Sequence, residues 1–265
     1  MLLAIDIGNT NIVIGVFRDT AVVCHFRIQS VHDRMADEYR LALSGLLREA
    51  GVDLGAVDSV VISSVVPSLT ESVQTAVLQL TGVEALVVRP GIRLNVSIGI
   101  GNPAELGSDL VANAVAAYAR LETACIVVDF GTALTFTAVS ADGAIMGAAI
   151  APGLNTAAQA LSSGTAQLPE IDLSEPHSAI GTDTASALRA GIVMGYEGLV
   201  THVVTQIKRE IGGQVHVIAT GGLSEQMASR LTVIDSVDAW LTLDGLRVIA
   251  ELNRSSVKDA STRAT

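Results

Sequence analysis

The stretch Leu2–Phe17, LLAIDIGNTNIVIGVF, sets one acid and a Gly-Asn-Thr turn between two apolar, β-prone runs. Leu2 to Ile7 and Ile12 to Phe17 are short strand-forming runs and Ala21 to Ile28 is a third; the Gly-Asn-Thr and Arg-Asp-Thr turns join them as two successive hairpins. Three antiparallel strands open the chain. The pattern restarts at Ala124. A strand Cys125 to Val128 ends in Asp129-Phe130-Gly131-Thr132, a second runs Thr135 to Ser140, and a third, Ala144 to Ile150, follows an Asp142-Gly143 turn. Aligning Asp6-Ile7-Gly8 on Asp129-Phe130-Gly131 sets an offset of 123 positions, close to half of the 265 residues, and brings the next strand and hairpin into register. Internal duplication is the simplest explanation.

Outward from these meanders, the first half reads as a helix over Met35–Ala50, a buried strand Val57–Ser63, a helix Pro67–Leu80, a strand Glu84–Val88, a Gly/Pro-containing loop Arg89–Pro103 and a helix from Gly107 to Arg120. The second half continues with a helix Leu154–Ser162 and a loop to Ile180. A long helix, Asp183–Ile211, then carries Leu188, Ile192, Gly195, Leu199, Val203 and Ile207 along one face. A strand Val215–Ala219, a Thr220-Gly221-Gly222 turn, a short helix, a strand near Val233 and a final helix Leu243–Asn253 complete it. The order β-β-β-α-β-α, occurring twice, predicts two similar α/β domains, 1–121 and 122–254, facing a cleft that suits a nucleotide, with 255–265 as a polar, flexible tail.

Composition narrows the function. The net charge of -11 and a pI near 4.8 repel a phosphate backbone, and no Lys/Arg run overcomes that, so nucleic acid is not an expected partner. A mean hydropathy of +0.50 does not make a membrane protein, because the longest uncharged stretch, Gly143 to Pro169, is broken by Gly, Asn, Gln, Ser, Thr and Pro. The N-terminus lacks a basic region and places Asp6 inside its apolar run, which argues against a secretory signal and makes cytoplasmic the default expectation. Cys24 and Cys125 lie in apolar segments without metal-ligand spacing and read as buried thiols, and the five histidines are scattered.

The candidate chemistry sits at the turns. In Asp6-Ile7-Gly8-Asn9-Thr10, Gly8 allows the backbone to approach a ligand, turn N–H groups can cradle phosphate oxygens, and Asp6 can hold a Mg²⁺-bound water; an ordinary hairpin turn with a solvated Asp is the alternative. Its echo at Asp129 favours the functional reading. Paired acidic-glycine turns resemble the apparatus of the acetate and sugar kinase, Hsp70 and actin superfamily. Gly221 and Gly222, after an apolar strand, suit a close approach to adenosine or a plain strand-to-helix turn. No P-loop, protein-kinase lysine or GxGxxG is present. Asp109, in GNPAELGSD ahead of an apolar helix, is either a cap or a carboxylate that accepts a proton from a substrate hydroxyl aimed at a γ-phosphate.

Taken in order, DIGNTNIVIGVF, NPAELGSD, VVDFGTALTF, GAAIAPGL, TAQLP, IGTDTASALRAGIVMGYEGLV, VIATGGL and LTLDGL resemble the type III pantothenate kinases over nearly the whole chain. The resemblance implies duplicated ribonuclease H-like (actin-like ATPase) domains with an ATP cleft between them, and ATP-dependent phosphorylation of pantothenate, the first step of coenzyme A synthesis. It implies ATP binding by Asp6, Ile7, Gly8, Asn9, Thr10, Asn11, Ile12, Val13 and Thr132, a monovalent cation (K⁺ or NH₄⁺) at Asp129, and a pantothenate site lined by Ile100, Gly107, Ser108, Asp109, Leu110 and Thr184. Asp109 is then the proton acceptor and a homodimer the working form. The family commonly reads Gly-Ala-Asp-Arg, Tyr-x-Asn-Pro and Ile-Gly-Lys-Asn-Thr where this chain has Gly107-Ser108-Asp109-Leu110, Ile100-Gly101-Asn102-Pro103 and Ile180-Gly181-Thr182-Asp183-Thr184. Losing one charge-assisted hydrogen bond costs on the order of 1.5 to 3 kcal/mol, about 10- to 150-fold in binding. These departures motivate two alternatives, a nucleotide-binding regulatory sibling without turnover and a kinase of another small alcohol.

Overall fold

The computed structural model describes residues 1–165 and 167–262, with side chains through 254. The chain divides into two units, Met1–Arg120 with Leu241–Thr265, and Leu121–Trp240. The first unit contains β1 (Leu2–Ile7), β2 (Asn11–Arg18), β3 (Ala21–Gln29), α1 (Ala36–Glu49), β4 (Ser59–Ser64), α2 (Pro67–Thr81), β5 (Ala85–Val87), the two-residue β6 (Ser97–Ile98) and nearly all of α3 (Ser108–Leu121). Its sheet runs β3-β2-β1-β4-β5, with β1 antiparallel to β2 and parallel to β4. The second unit contains β7 (Cys125–Phe130), β8 (Ala133–Val139), β9 (Ala144–Pro152), α4 (Leu154–Ser163), α5 (Thr184–Ile211), β10 (His216–Thr220), α6 (Ser224–Ala228) and β11 (Ser236–Val237). Its strands follow β9-β8-β7-β10-β11, again with the central strand antiparallel to one neighbour and parallel to the other. The predicted duplication is thus repeated strand for strand.

Strand alternation decides which residues enter each core. In the first unit Leu3, Ile5, Ile7, Ile12, Ile14 and Val16 join Tyr39, Leu43 and Leu47 of α1 and Leu69, Val73 and Val77 of α2. Asp6, Val13 and Ser63 therefore point to the opposite face. In the second, Ile126, Val128, Phe130, Leu134, Phe136, Val217 and Ala219 form the core with Val200 and Val204 of α5, leaving Asp129, Thr135 and Thr220 on the other face.

Three expectations are corrected. The final helix, α7 (Leu241–Thr262), packs on β1, β2 and β4 of the first unit rather than staying with the second half, because the small Gly15 leaves the space that Leu243 fills. The backbone of α7 continues through the start of the expected tail; side chains 255–262 and all of 263–265 lie outside the described residues. The strand expected near Val233 is at Ser236–Val237, since Asp235 fixes the register by accepting from the Val217 N–H through its carboxylate (2.7 Å) and donating its own N–H to the Val217 carbonyl (2.9 Å). Along α5 the fully buried positions include Val193, Val200 and Val204, whereas Leu188, Ile192, Gly195 and Leu199 line an open groove of about 790 Å³. Cys125 is buried, its thiol pushed up to about 12 by desolvation, while Cys24 is only half-buried. Among the described residues no helix is long and apolar enough to cross a membrane.

Helix α7 also holds α3. Gly245 lies against the Ala112 carbonyl, Thr242 donates to Asn113 Oδ1 (2.8 Å), and Arg120 pairs with Asp244 (3.0 Å). A Cβ at Gly245 would occupy the space of that carbonyl, so Gly245→Val is expected to destabilise by about 2 kcal/mol or more. Urea denaturation checks this; an unchanged midpoint would show that the crossing is not close.

Candidate functional site

The Asp6 turn emerges where β1 ends. Gly8 donates its N–H to the Asn11 carbonyl (3.0 Å), and Ser30 clamps the loop by donating Oγ to the Gly8 carbonyl (2.6 Å) and its N–H to the Thr10 carbonyl (2.9 Å). Asn9 and Thr10 are exposed and Asp6 is half-exposed at the strand end, an arrangement open to a phosphate and its metal. The side chains of Ile7 and Ile12 are in the core, so they can offer a ligand only backbone groups; Val13 sits opposite Asp6 in the ladder. Ser30 escaped the sequence reading, its signal being only a small polar residue closing the third strand.

The Asp129 turn is built alike. Gly131 donates to the Ala133 carbonyl (3.1 Å), and the Thr132 carbonyl accepts from Gly153 N–H (2.9 Å) and Thr156 Oγ1 (2.7 Å), which leaves the Thr132 side chain exposed. Tyr196 steadies the next turn by donating to the Pro152 carbonyl (2.7 Å). Gly221, at φ +91°, lies against the Asp129 carboxylate and the Phe130 backbone, where a Cβ would collide; Gly222 follows it in the same turn. In register, Asp129 is flanked by Thr135 on β8 and Thr220 on β10, both buried, and neither hydroxyl has a hydrogen-bond partner among the described residues. Buried hydroxyls are ordinarily satisfied, so two orphans beside a carboxylate form a set of hard oxygen donors that fits a small cation. Among the described residues no group of three or more His, Cys, Asp or Glu side chains could hold a metal ion.

Asp109 lies in the first turn of α3. Leu110 N–H donates to its Oδ1 (2.9 Å), and Gly107 leaves room for that same oxygen. Burial raises the Asp109 carboxyl above its ordinary value and outweighs the hydrogen bond from Leu110, so it is a better proton acceptor than a solvated aspartate. Its neighbours are not free side chains on a pocket wall. Ser108 is buried with its hydroxyl bonded to β4, and Leu110 is 6% exposed. Ile100 is half-exposed in the loop before α3, and Thr184, in the second unit, is exposed and borders the α5 groove.

Two units of one strand order, each placing an acid and a glycine turn at the end of its central strand, define the duplicated ribonuclease H-like fold. Solved structures share the fold: a putative Baf family transcriptional activator from Campylobacter jejuni (TM-score 0.59, 19% identity, covering 96% of this chain and 99% of that one) and the activator of 2-hydroxyisocaproyl-CoA dehydratase from Clostridium difficile, with bound ADPNP (TM-score 0.55, 12% identity, 97% of each). The model of the family described as Type III pantothenate kinase matches residues 2–206. Proteins of that name from Moorella thermoacetica and Geobacter sulfurreducens are each 43% identical over 96% of this chain and their full length. The chain belongs to the type III pantothenate kinase family.

The raised Asp109 carboxyl has a thermodynamic signature. A folded-state pKa above the unfolded one makes the protonated form the stabilising one: its contribution is complete below the unfolded value and is lost as pH rises through the folded value. Asp109→Asn is therefore expected to melt higher than wild type at pH 8, with the gap closing below the usual carboxylate range. Melting curves across pH check this, and a variant that melts lower at pH 8 would contradict it.

Proposed function

We propose that the chain transfers the γ-phosphoryl group of ATP to the primary hydroxyl of pantothenate, the first step of coenzyme A synthesis, with Asp109 as proton acceptor. Membership of the family carries the reaction. The observation that supports the mechanism is the half-buried Asp109 at the start of α3, with its carboxyl pushed upward. The substrate hydroxyl oxygen forms a bond to the γ-phosphorus, the bond from that phosphorus to the β,γ-bridging oxygen breaks to leave ADP, and the hydroxyl proton passes to Asp109. Phosphoryl transfer passes through a loose transition state, so Asp109 contributes chiefly by orienting the hydroxyl.

In this reading the Asp6–Val13 turn holds the ATP phosphates through backbone N–H groups and the Asn9 and Thr10 side chains, Thr132 contacts the nucleotide, and Gly221 and Gly222 admit the adenosine. Asp6 would hold Mg²⁺ through water, and Asp129 with Thr135 and Thr220 would hold K⁺ or NH₄⁺; when bound, the cations offset phosphate charge. Ile100, Gly107, Ser108, Leu110 and Thr184 bound the pantothenate site, with Ser108 and Leu110 contributing backbone. The working form is a homodimer. The alternatives drawn from Leu110, Ile100 and Thr182 gain nothing from the relatives named above, which carry the kinase name over their full length.

A coupled assay with ATP, Mg²⁺ and pantothenate, with and without K⁺, tests the reaction; no phosphopantothenate under any of these conditions would sink it. Asp109→Asn is expected to lower kcat by about 10²-fold or more. For the cation, KCl but not tetramethylammonium chloride should raise the melting temperature, and Thr220→Val should weaken that response without disturbing the fold. An equal response to both salts would remove the proposed cation site. Sedimentation at assay concentrations reads the dimer directly.

A further inference from the structure

The Ser108 hydroxyl closes a small network at the C-terminal end of β4. It accepts from the Ser64 N–H (2.9 Å), donates to the Ser64 carbonyl (3.0 Å) and lies 2.9 Å from Ser63 Oγ. A hydroxyl has one proton and two lone pairs. With its proton on the Ser64 carbonyl and one lone pair on the Ser64 N–H, Ser108 takes its third bond as acceptor from Ser63, and its capacity is filled. Ser63 is fully buried and Ser108 is 9% exposed. The network reaches α2 as well, because Thr70 donates to Ser64 Oγ (2.8 Å).

Where these bonds attach matters. In the parallel β1–β4 ladder, Ser63 is the partner of Asp6 and Ser64 the partner of Ile7. Ser108 thus ties the residue before Asp109 to the strand beside the phosphate turn. The Leu110 N–H then orients the Asp109 carboxylate, and Gly107, without a side chain, lies against it. From Asp6 to Asp109 the connection consists of ladder pairing, a seryl hydroxyl and one peptide link, all within the first unit.

We propose that Ser108 is a positioning residue, which together with Ser63 locks the Asp109 helix turn to β4 and so fixes the acceptor base relative to the phosphate turn; the proposal rests on Asp109 being that base. Ser108 also borders a cavity of about 350 Å³ walled by residues such as Leu106 and Val111, so contact with substrate is the competing role. The filled valence of the hydroxyl argues against it. A merely structural tie is the other competitor, and displacement of a base by a fraction of an ångström separates the two, since catalysis is far more sensitive to such a shift than stability is.

The test compares Ser108→Ala, Ser63→Ala and the double variant with the wild-type protein. Both single variants are expected to lower kcat about tenfold or more, to leave KM for ATP and pantothenate within about twofold, and to shift the acid limb of the kcat–pH profile. The double variant should be little worse than Ser108→Ala, which already removes the Ser63 contact together with the two bonds to Ser64. Amide hydrogen exchange should quicken about tenfold or more at the first turn of α3, residues 109–112, and stay unchanged over its C-terminal half. A rise in pantothenate KM with kcat preserved would make Ser108 a substrate contact, and a drop in melting temperature with kcat and the pH profile unmoved would make it structural only; either overturns the proposal. If Ser108→Ala does not fold, Ser63→Ala alone carries the same measurements. The exchange experiment needs no turnover: unchanged exchange in the first turn overturns the latch whatever the activity, whereas a wild type inactive with pantothenate, or an Asp109→Asn variant as active as wild type, instead overturns the function or the base on which the latch was argued.

Discussion

An acid one residue before the end of a buried central strand constrains most of this molecule. β1 and β7 are each paired on both sides, so nearly every backbone group is used in a ladder and most side chains are buried. A carboxylate cannot be buried unpaired within such a strand without a cost of several kcal/mol. It is tolerable at the point where the strand gives way to a turn, where Asp6 is half-exposed. Strand pairing and the placement of the acid are thus one arrangement: the ladders that stabilise the sheet also aim the acid. Shifting the register by one residue would send Asp6 into the aliphatic core and turn Ile5 and Ile7 out of it.

The placement of Asp109 depends on a longer chain of support. α3 starts at Asp109's neighbour and is held along its length by α7, through the Gly245–Ala112 crossing, the Thr242–Asn113 hydrogen bond and the Arg120–Asp244 pair. α7 in turn rests on β1, β2 and β4. The last helix of the chain therefore supports a residue placed more than a hundred positions before it, by way of the sheet that carries Asp6. A close crossing at glycine suits this purpose, because backbone contact admits less play than long side chains do.

The acidic turns and the repeat were legible in the sequence because they are written in local signals: strand alternation, turn residues and a constant spacing between Asp6 and Asp129. What escaped is set by tertiary contact. The strand placed near Val233 moved to Ser236 since the apolar Val233 and Ile234 pack into the core from a loop, while register is dictated by a polar side chain, Asp235, bonded to β10. On α5 the apolar residues cover more than one face of a 28-residue helix, so periodicity alone could not say that Val193, Val200 and Val204 would be buried and the Leu188–Leu199 face left open. No local signal says which sheet a terminal helix will cover, and α7 was assigned by chain order. Ser108 was visible as a residue expected to line the pantothenate site and as a departure from a family pattern, with no hint that its hydroxyl faced β4.

The duplication shows how one position diverges. In the first unit the parallel-strand partner of the acid is Ser63; in the second, the equivalent partner of Asp129 is Thr220. Both are small hydroxyl residues, both are buried, and both lie on the same face as their carboxylate. Their satisfaction differs. Ser63 is bonded to Ser108 and ties a helix to the sheet, whereas Thr220 and its counterpart across the strand, Thr135, have no partner among the described residues. A hydroxyl already satisfied from within can only hold structure, while one left unsatisfied in a buried row with a carboxylate costs about 1 to 3 kcal/mol until something enters to use it. The same slot beside the same acid is thus filled from within in one half and left unfilled in the other, and the difference comes from whether a neighbouring helix supplies a further hydroxyl.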